Sequence, residues 1–324
     1  MKRLGVSLMV AVLVVGGVMA GVAAAEPLKI RYSTWVGYGP LFLAKEKGFF
    51  KDEKVEVELV NMEDPKEGFF AMAAGRLEGV VSTIDTMVLY LKTGKEFQYV
   101  LALDDSAGGD GIVARKEITS VKDLKGKKVA FGEGSVSQFF LNVLLKEAGL
   151  AQKDVDAVNM TAGDAGAAFV AGKVDAAVTW EPWLTRGKAA PHGHLLIDSS
   201  KTPGLITDVI IFRRDVIEKR GKEIQGMVNA WNKAVAYWEK NPKESNEIMA
   251  KAVGGWLKDP KVFEETLSGV KFYNQEANKK FFGTAAQPGP IYQTVQNSLD
   301  IWGSFGKLQV KVPAKELINH SFVK

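Results

Sequence analysis

The sequence predicts an α/β protein built in two lobes. One strand–helix pattern occurs twice, about a hundred residues apart. Each copy runs strand, helix, strand, the order that builds parallel sheets. The 324 residues also suit two domains at roughly 150 residues each.

The first copy opens with the strand Lys29-Ile-Arg-Tyr-Ser33 and the loop Thr34-Trp-Val-Gly-Tyr-Gly39. A helix starts at Pro40 and stops at Gly48, a residue type that tolerates the left-handed helix end. Val55-Glu-Val-Glu-Leu-Val60 is the next strand. A helix over Phe69–Ala74, a stop at Gly75 and the strand Gly79-Val-Val-Ser-Thr83 follow. The second copy has the strand Lys128-Val-Ala-Phe131, the loop Gly132-Glu-Gly-Ser-Val-Ser137 and a helix over Gln138–Ala148 that ends at Gly149. The strand Val155-Asp-Ala-Val-Asn-Met160 comes next. Ala168-Phe-Val-Ala-Gly172-Lys-Val-Asp175 then matches Ala71-Met-Ala-Ala-Gly75-Arg-Leu-Glu78 position by position, and the strand Ala176-Ala-Val-Thr179 matches Gly79-Val-Val-Ser82. In such sheets ligands bind beyond the carboxyl ends of the strands. The equivalent loops are therefore Ser33–Gly39 and Ser82–Asp85 in one copy, and Gly132–Ser137 and Thr179–Trp183 in the other. Two lobes whose loops face each other enclose a cleft.

From Glu218 the chain reads as helical. Met227, Val228, Trp231, Val235 and Trp238 repeat at the 3/4 spacing of one buried face, and Asn241-Pro242 ends that helix. Ser245–Val253, Lys261–Val270 and Ile291–Phe305 are further amphipathic pieces.

Composition narrows the function. Net charge is +4, and +2 without the first 25 residues, too even for a protein that neutralises nucleic-acid phosphates. The absence of cysteine excludes thiol nucleophiles, zinc–thiolate and iron–sulfur sites, disulfides and a lipidated cysteine. The three histidines offer no metal set: His192-x-His194 lacks a third ligand at a recognisable spacing. No cofactor is expected. Lys2-Arg3, an apolar run from Leu4 to about Val22 and Ala23-Ala24-Ala25 before Glu26 form the pattern a signal peptidase reads, with cleavage after Ala25. The alternative is an uncleaved anchor, against which Gly5, Gly16, Gly17 and Gly21 argue. No later stretch reaches the ~18 apolar residues of a membrane span. The expected location is the periplasm.

Several segments together carry a resemblance: Trp35-x-Gly37-Tyr-x-Pro40-Leu-Phe-Leu-Ala44, Glu46-Lys-Gly-Phe-Phe50, Ile118-Thr-Ser-Val-Lys-Asp-Leu-Lys-Gly-Lys-Lys-Val129, Ala171-Gly172-x-Val174-Asp175-Ala176 and Trp180-Glu-Pro-Trp183. Over nearly all of residues 28–320 the chain resembles periplasmic solute-binding proteins of the nitrate/sulfonate/taurine class of ABC importers. That resemblance implies a type II periplasmic binding fold: two α/β lobes joined by two hinge crossings, near Leu103–Ile112 and Leu205–Phe212. Lobe one would combine 27–106 with 213–324, and lobe two would be 107–212. It further implies a monomer that takes a small molecule to a permease in the inner membrane, with no chemistry of its own.

Candidate ligand residues follow from the nominated loops. Ser135, with Ser137 in the first turn of the following helix, would make an anion site from hydroxyls and free N–H groups. The alternative for Ser135 is a plain N-cap. Trp35 and Tyr38 in one lobe and Trp180 and Trp183 in the other would wall the ligand, and can hold a cation over a ring face. Thr83 lies in the Ser82–Asp85 loop. The acids Asp85, Asp104, Asp105, Asp110, Glu181 and Asp208 fall in cleft loops or crossings. A site for a bare anion should avoid them, because an unpaired carboxylate repels it. They favour a substrate with an ammonium or protonated nitrogen: first an aminosulfonate such as taurine, then a cationic amine or pyrimidine precursor. An enzyme of the pyrimidine-synthesising branch on this fold is disfavoured. That branch uses a cysteine-rich motif and an active-site histidine, whereas this chain has no cysteine and no His in either Ser33–Gly39 or Ser82–Asp85.

Overall fold

The computed structural model describes residues 26–253 and 255–324. The segment read as an export leader, residues 1–25, lies outside them. Among the described residues eleven strands form two sheets. In chain order they are β1 (Leu28–Tyr32), β2 (Val57–Asn61), β3 (Gly79–Thr83), β4 (Phe97–Ser106), β5 (Asp110–Arg115), β6 (Lys128–Phe131), β7 (Asp156–Asn159), β8 (Ala176–Trp180), β9 (Gly193–Asp198), β10 (Thr207–Arg213) and β11 (Val270–Phe272).

The first sheet has the order β11-β4-β10-β3-β1-β2, and the second β7-β6-β8-β5-β9. β1, β2 and β3 run parallel, as do β6, β7 and β8. The two copies read from the sequence are therefore the parallel cores of two sheets. In each, the next strand is antiparallel and arrives by a crossing: β5 pairs with β8, and β10 pairs with β3. The chain thus enters lobe two between Ser106 and Asp110 and returns between Asp198 and Thr207. The return was expected over Leu205–Phe212. β10 instead pairs with β3 and β4 along its length, so it belongs to the first sheet.

Local chemistry sets the helix ends. Asp64 accepts from the Lys66 N–H before the helix Pro65–Ala73, and Thr161 accepts from the Asp164 N–H before the repeat-equivalent helix Ala162–Val170. Gly75 and Gly172 follow these helices at φ of 75° and 70°, where a side chain is strained. The long helix Arg214–Lys240 buries Met227, Val228, Trp231 and Val235, and Asn241 closes it. The piece read as a helix through Val270 stops at Leu267. Val270–Phe272 is instead the edge strand β11, and three residues are too few for a period-2 pattern to show. No helix among the described residues is long and apolar enough to cross a membrane.

One apolar core is shared by strands of both sheets and the surrounding helices. A smaller cluster, including Val113, Phe169, Val174 and Leu184, fills the other face of the second sheet.

Candidate functional site

A small cavity lies where the carboxyl ends of the strands of both lobes meet. β1 and the loop after it supply Arg31, Ser33, Trp35 and Tyr38. The end of β3 and the short helix after it supply Ser82, Thr83 and Thr86, with Glu63 and Pro65 beside them. From lobe two come Asp110, Ser135, Val136 and Trp180, and from β10 comes Asp208. The loops nominated by the repeat therefore converge. Trp180 crosses the cleft: its indole N–H donates to the Thr34 carbonyl at 2.8 Å. Tyr90 makes a second crossing, its hydroxyl donating to the Gly134 carbonyl at 2.8 Å.

Carboxyl groups dominate the electrostatics. Asp85, Asp104, Asp110 and Asp208 are all buried. The Trp35 indole N–H is shared between the two Asp104 oxygens at 3.1 and 3.3 Å. The Tyr38 hydroxyl donates to Asp208 Oδ1 at 2.5 Å. Burial, and then the charge of Asp208, push the Asp104 carboxyl well above its ordinary range; burial does the same to Asp208, with Asp110 and Asp85 adding to it. Asp110 is pushed up to about 7 by burial, with Glu181 adding to it. Asp85 also rises to about 7, through burial and then Asp110, against the Thr83 and Thr86 hydroxyls. Its Oδ1 has no hydrogen-bond partner. The charges that raise these acids are one another's and those of Asp105 and Glu181. Ionised together, they would be unstable without a cation among them.

Arg31 is the only buried basic side chain among the described residues, and the sequence reading passed over it. An arginine in a strand reads as solvent-facing. Here its fork reaches three carbonyls: Nε donates to Met62 at 2.7 Å, Nη1 to Val81 at 3.1 Å and Nη2 to Glu63 at 3.0 Å. It ties β1 to the end of β2 and to β3, and no carboxylate claims it. Arg31→Lys is expected to lower unfolding stability by about 2 kcal/mol, because an ammonium cannot reach three divergent carbonyls. Urea denaturation measures this, and equal midpoints would refute it.

The structure sorts the predicted residues. Trp35, Tyr38, Thr83, Asp110, Ser135, Trp180 and Asp208 line the cavity; Asp85, Asp105, Ser137, Glu181 and Trp183 do not. Asp85 stands next to Thr83 and Thr86, whose hydroxyls are joined at 2.8 Å and do face the cavity. Asp105 accepts from the Thr207 hydroxyl at 3.2 Å, its register partner on β10. Glu181 caps its own turn, accepting from the Thr185 N–H at 3.0 Å and hydroxyl at 2.8 Å, with Lys188 at 3.6 Å. Trp183 packs over Gly163 and Gly166, where a Cβ would come within 3.2 and 3.0 Å of it. Ser137 is buried with its hydroxyl unpartnered, off the cavity wall. Ser135 keeps its place, but its hydroxyl donates to the Gly132 carbonyl at 2.8 Å and accepts from the Ser137 N–H at 3.2 Å. It is an N-cap, with little left for an anion. Ser33, Ser82 and Thr86 lie at the nominated strand ends but were not singled out, because lone hydroxyl residues carry no pattern.

The model of the family described as NMT1/THI5 like matches residues 35–245, well over half of the chain. The chain belongs to the NMT1/THI5-like family. A Bacillus subtilis (strain 168) relative, named as a candidate binding protein for aliphatic sulfonates, is 25% identical over 302 residues, covering 91% of this chain and 87% of that one. Among solved structures, the periplasmic aliphatic sulphonate binding protein of Escherichia coli is similar with a TM-score of 0.73, at 23% identity over 90% of this chain and 97% of its own. The alkanesulfonate-binding protein of Xanthomonas axonopodis pv. citri, bound to MOPS, reaches 0.75 at 21% identity, over 92% and 100%. This NMT1/THI5-like chain therefore has the two-lobed type II fold that its sheets suggest.

Proposed function

We propose that this protein is the extracytoplasmic substrate-binding subunit of an ABC importer, and that its cleft takes a small solute bearing a protonated nitrogen. One observation carries the substrate class: the Asp110 and Asp208 carboxyls are buried on the cavity wall, with Asp104 and Asp85 buried nearby. Arg31, the only buried basic group among the described residues, is engaged on carbonyls. A plain anion would oppose ionisation of this wall, whereas a cation would remove the electrostatic cost of ionising it. The binding-protein role is supported by relatives named for binding rather than for a reaction. It implies an exported chain, a membrane permease as partner, and release of an unaltered ligand. In this reading residues 27–106 with 213–324 form one lobe and 107–212 the other, save that β10 pairs into the first sheet.

An aminosulfonate such as taurine joins this requirement to the sulfonates named for the relatives. Its sulfonate would face the hydroxyls of Ser33, Ser82, Thr83 and Thr86. A second reading is a cationic amine or aminopyrimidine without a sulfonate, favoured by the engagement of the Ser135 hydroxyl in its cap. A thermal-shift and calorimetric panel of taurine, methanesulfonate, nitrate and an aminopyrimidine separates them. Taurine or the aminopyrimidine is expected to raise the melting temperature and to be recovered unchanged. Binding of methanesulfonate or nitrate alone would overturn the reading of the acids.

A further inference from the structure

The two chain crossings are joined by a pair of serine hydroxyls that no site described so far uses. Ser106 ends β4 on the outgoing crossing, and Ser199 follows β9 on the return; both are wholly buried. Their Oγ atoms lie 2.8 Å apart. Ser199 Oγ accepts from the Gly108 N–H at 2.8 Å, and Ser106 Oγ accepts from the Asp110 N–H at 3.0 Å. The Ser106 backbone adds a bond from its N–H to the Ile206 carbonyl at 3.0 Å. The turn Ala107–Gly109 is thereby held from both crossings, and the residue it delivers is Asp110, an acid on the cavity wall.

We infer that Ser106 and Ser199 form a hinge clasp that positions Asp110, so that the carboxyl meeting the ligand and the backbone that bends between the lobes share one buried hydroxyl pair. The inference rests on Asp110 as a ligand-facing acid. Each hydroxyl has one proton to donate. When Asp110 is ionised, Ser106 can turn its proton to the carboxylate and take the Ser199 proton in return. When Asp110 is neutral, that direction has no charge to favour it. The Ser106 hydroxyl acts on the Asp110 carboxyl in this sense, favouring its ionised form. The other groups that face Asp110 are Glu181 after β8, Asp85 after β3, and Asp104 and Asp208 on β4 and β10. All are acids.

The test is a carboxyl NMR titration of the ligand-free protein as wild type, S106A, S106T and S199A. In S106A the Asp110 midpoint is expected to rise by about half a unit or more, because the donor to the charged form is gone. S106T keeps a hydroxyl and is expected to restore it, and S199A to shift it the same way by less. Destabilisation in S106A with an unmoved Asp110 midpoint would reduce the serine to a structural role and overturn the inference. Should S106A fail to fold, an unmoved midpoint in S199A would overturn it equally. No ligand enters this titration. A ligand panel that fails while the midpoint shifts would sink the proposed function and leave the clasp standing.

Discussion

Asp110→Asn is expected to make the ligand-free protein more stable than wild type at pH 8 and to abolish binding of an amine-bearing ligand. The sign follows from where the protons are. Asp110 and Asp85 titrate at about 7 in the folded chain, against an ordinary value of 3.8. Between those values the folded chain holds protons that the unfolded chain has lost. Stability from these groups is therefore fully present below pH ~4, falls as pH rises towards 7, and stays low above it. A shift of that size bounds the effect at about 4 kcal/mol per group, and relaxation of the wall reduces it to roughly 2 kcal/mol. Carboxylates held low by partners, such as Asp215 with Arg213 and Glu223 with Arg220, act oppositely at the acid end. The difference between wild type and D110N isolates the cleft. Urea midpoints from pH 4 to 8 should converge at the acid end, move apart as pH rises towards 7 and stay apart above it, with the variant the more stable. A variant less stable at pH 8 would show that Asp110 is compensated in the ligand-free protein, and the case for a cationic ligand would fail. Binding should also release protons near neutral pH, seen as a binding heat that varies with the ionisation heat of the buffer.

The architecture was legible in the sequence because its signals are local and repeated. Gly75 and Gly172 stop equivalent helices, and the strand after each completes a parallel core. Each copy therefore declares its sheet without knowledge of the other. The return strand was harder. β10 is buried almost end to end around the apolar run Val209–Phe212, and such a run does not say which sheet it joins. The cavity wall was half legible. Strand-end loops nominate positions, but whether a side chain faces the ligand depends on what else it can reach. Glu181 finds Thr185 four residues on and turns to it. Ser135 finds the first turn of its own helix. Arg31 depends on carbonyls 31 and 50 residues away, a long-range arrangement that no spacing rule contains.

Trp180→Ala is expected to weaken ligand binding by about a hundredfold while leaving both lobes folded. Trp180 ends β8, lines the cavity and holds the Thr34 carbonyl across the cleft, beside Trp35. Truncation would remove a cavity wall and a tie between the lobes, the two contributions expected of a hot-spot aromatic. The β8 register with β5 and β6 does not use the indole, so the stability loss should stay near 1–2 kcal/mol, below that of a tryptophan enclosed by core on all sides. Trp180→Phe separates the two contributions. It keeps a ring on the wall but loses the donor to Thr34, and about a tenfold loss is expected. Calorimetry with a ligand found in the panel, beside melting of the ligand-free variants, distinguishes the outcomes. Full affinity in W180A would remove the indole from the site. A tenfold loss in W180F, with a melting temperature close to wild type, would show that the bond across the cleft holds the ligand-bound form together. The two lobes would then act as one site only when that bond is made.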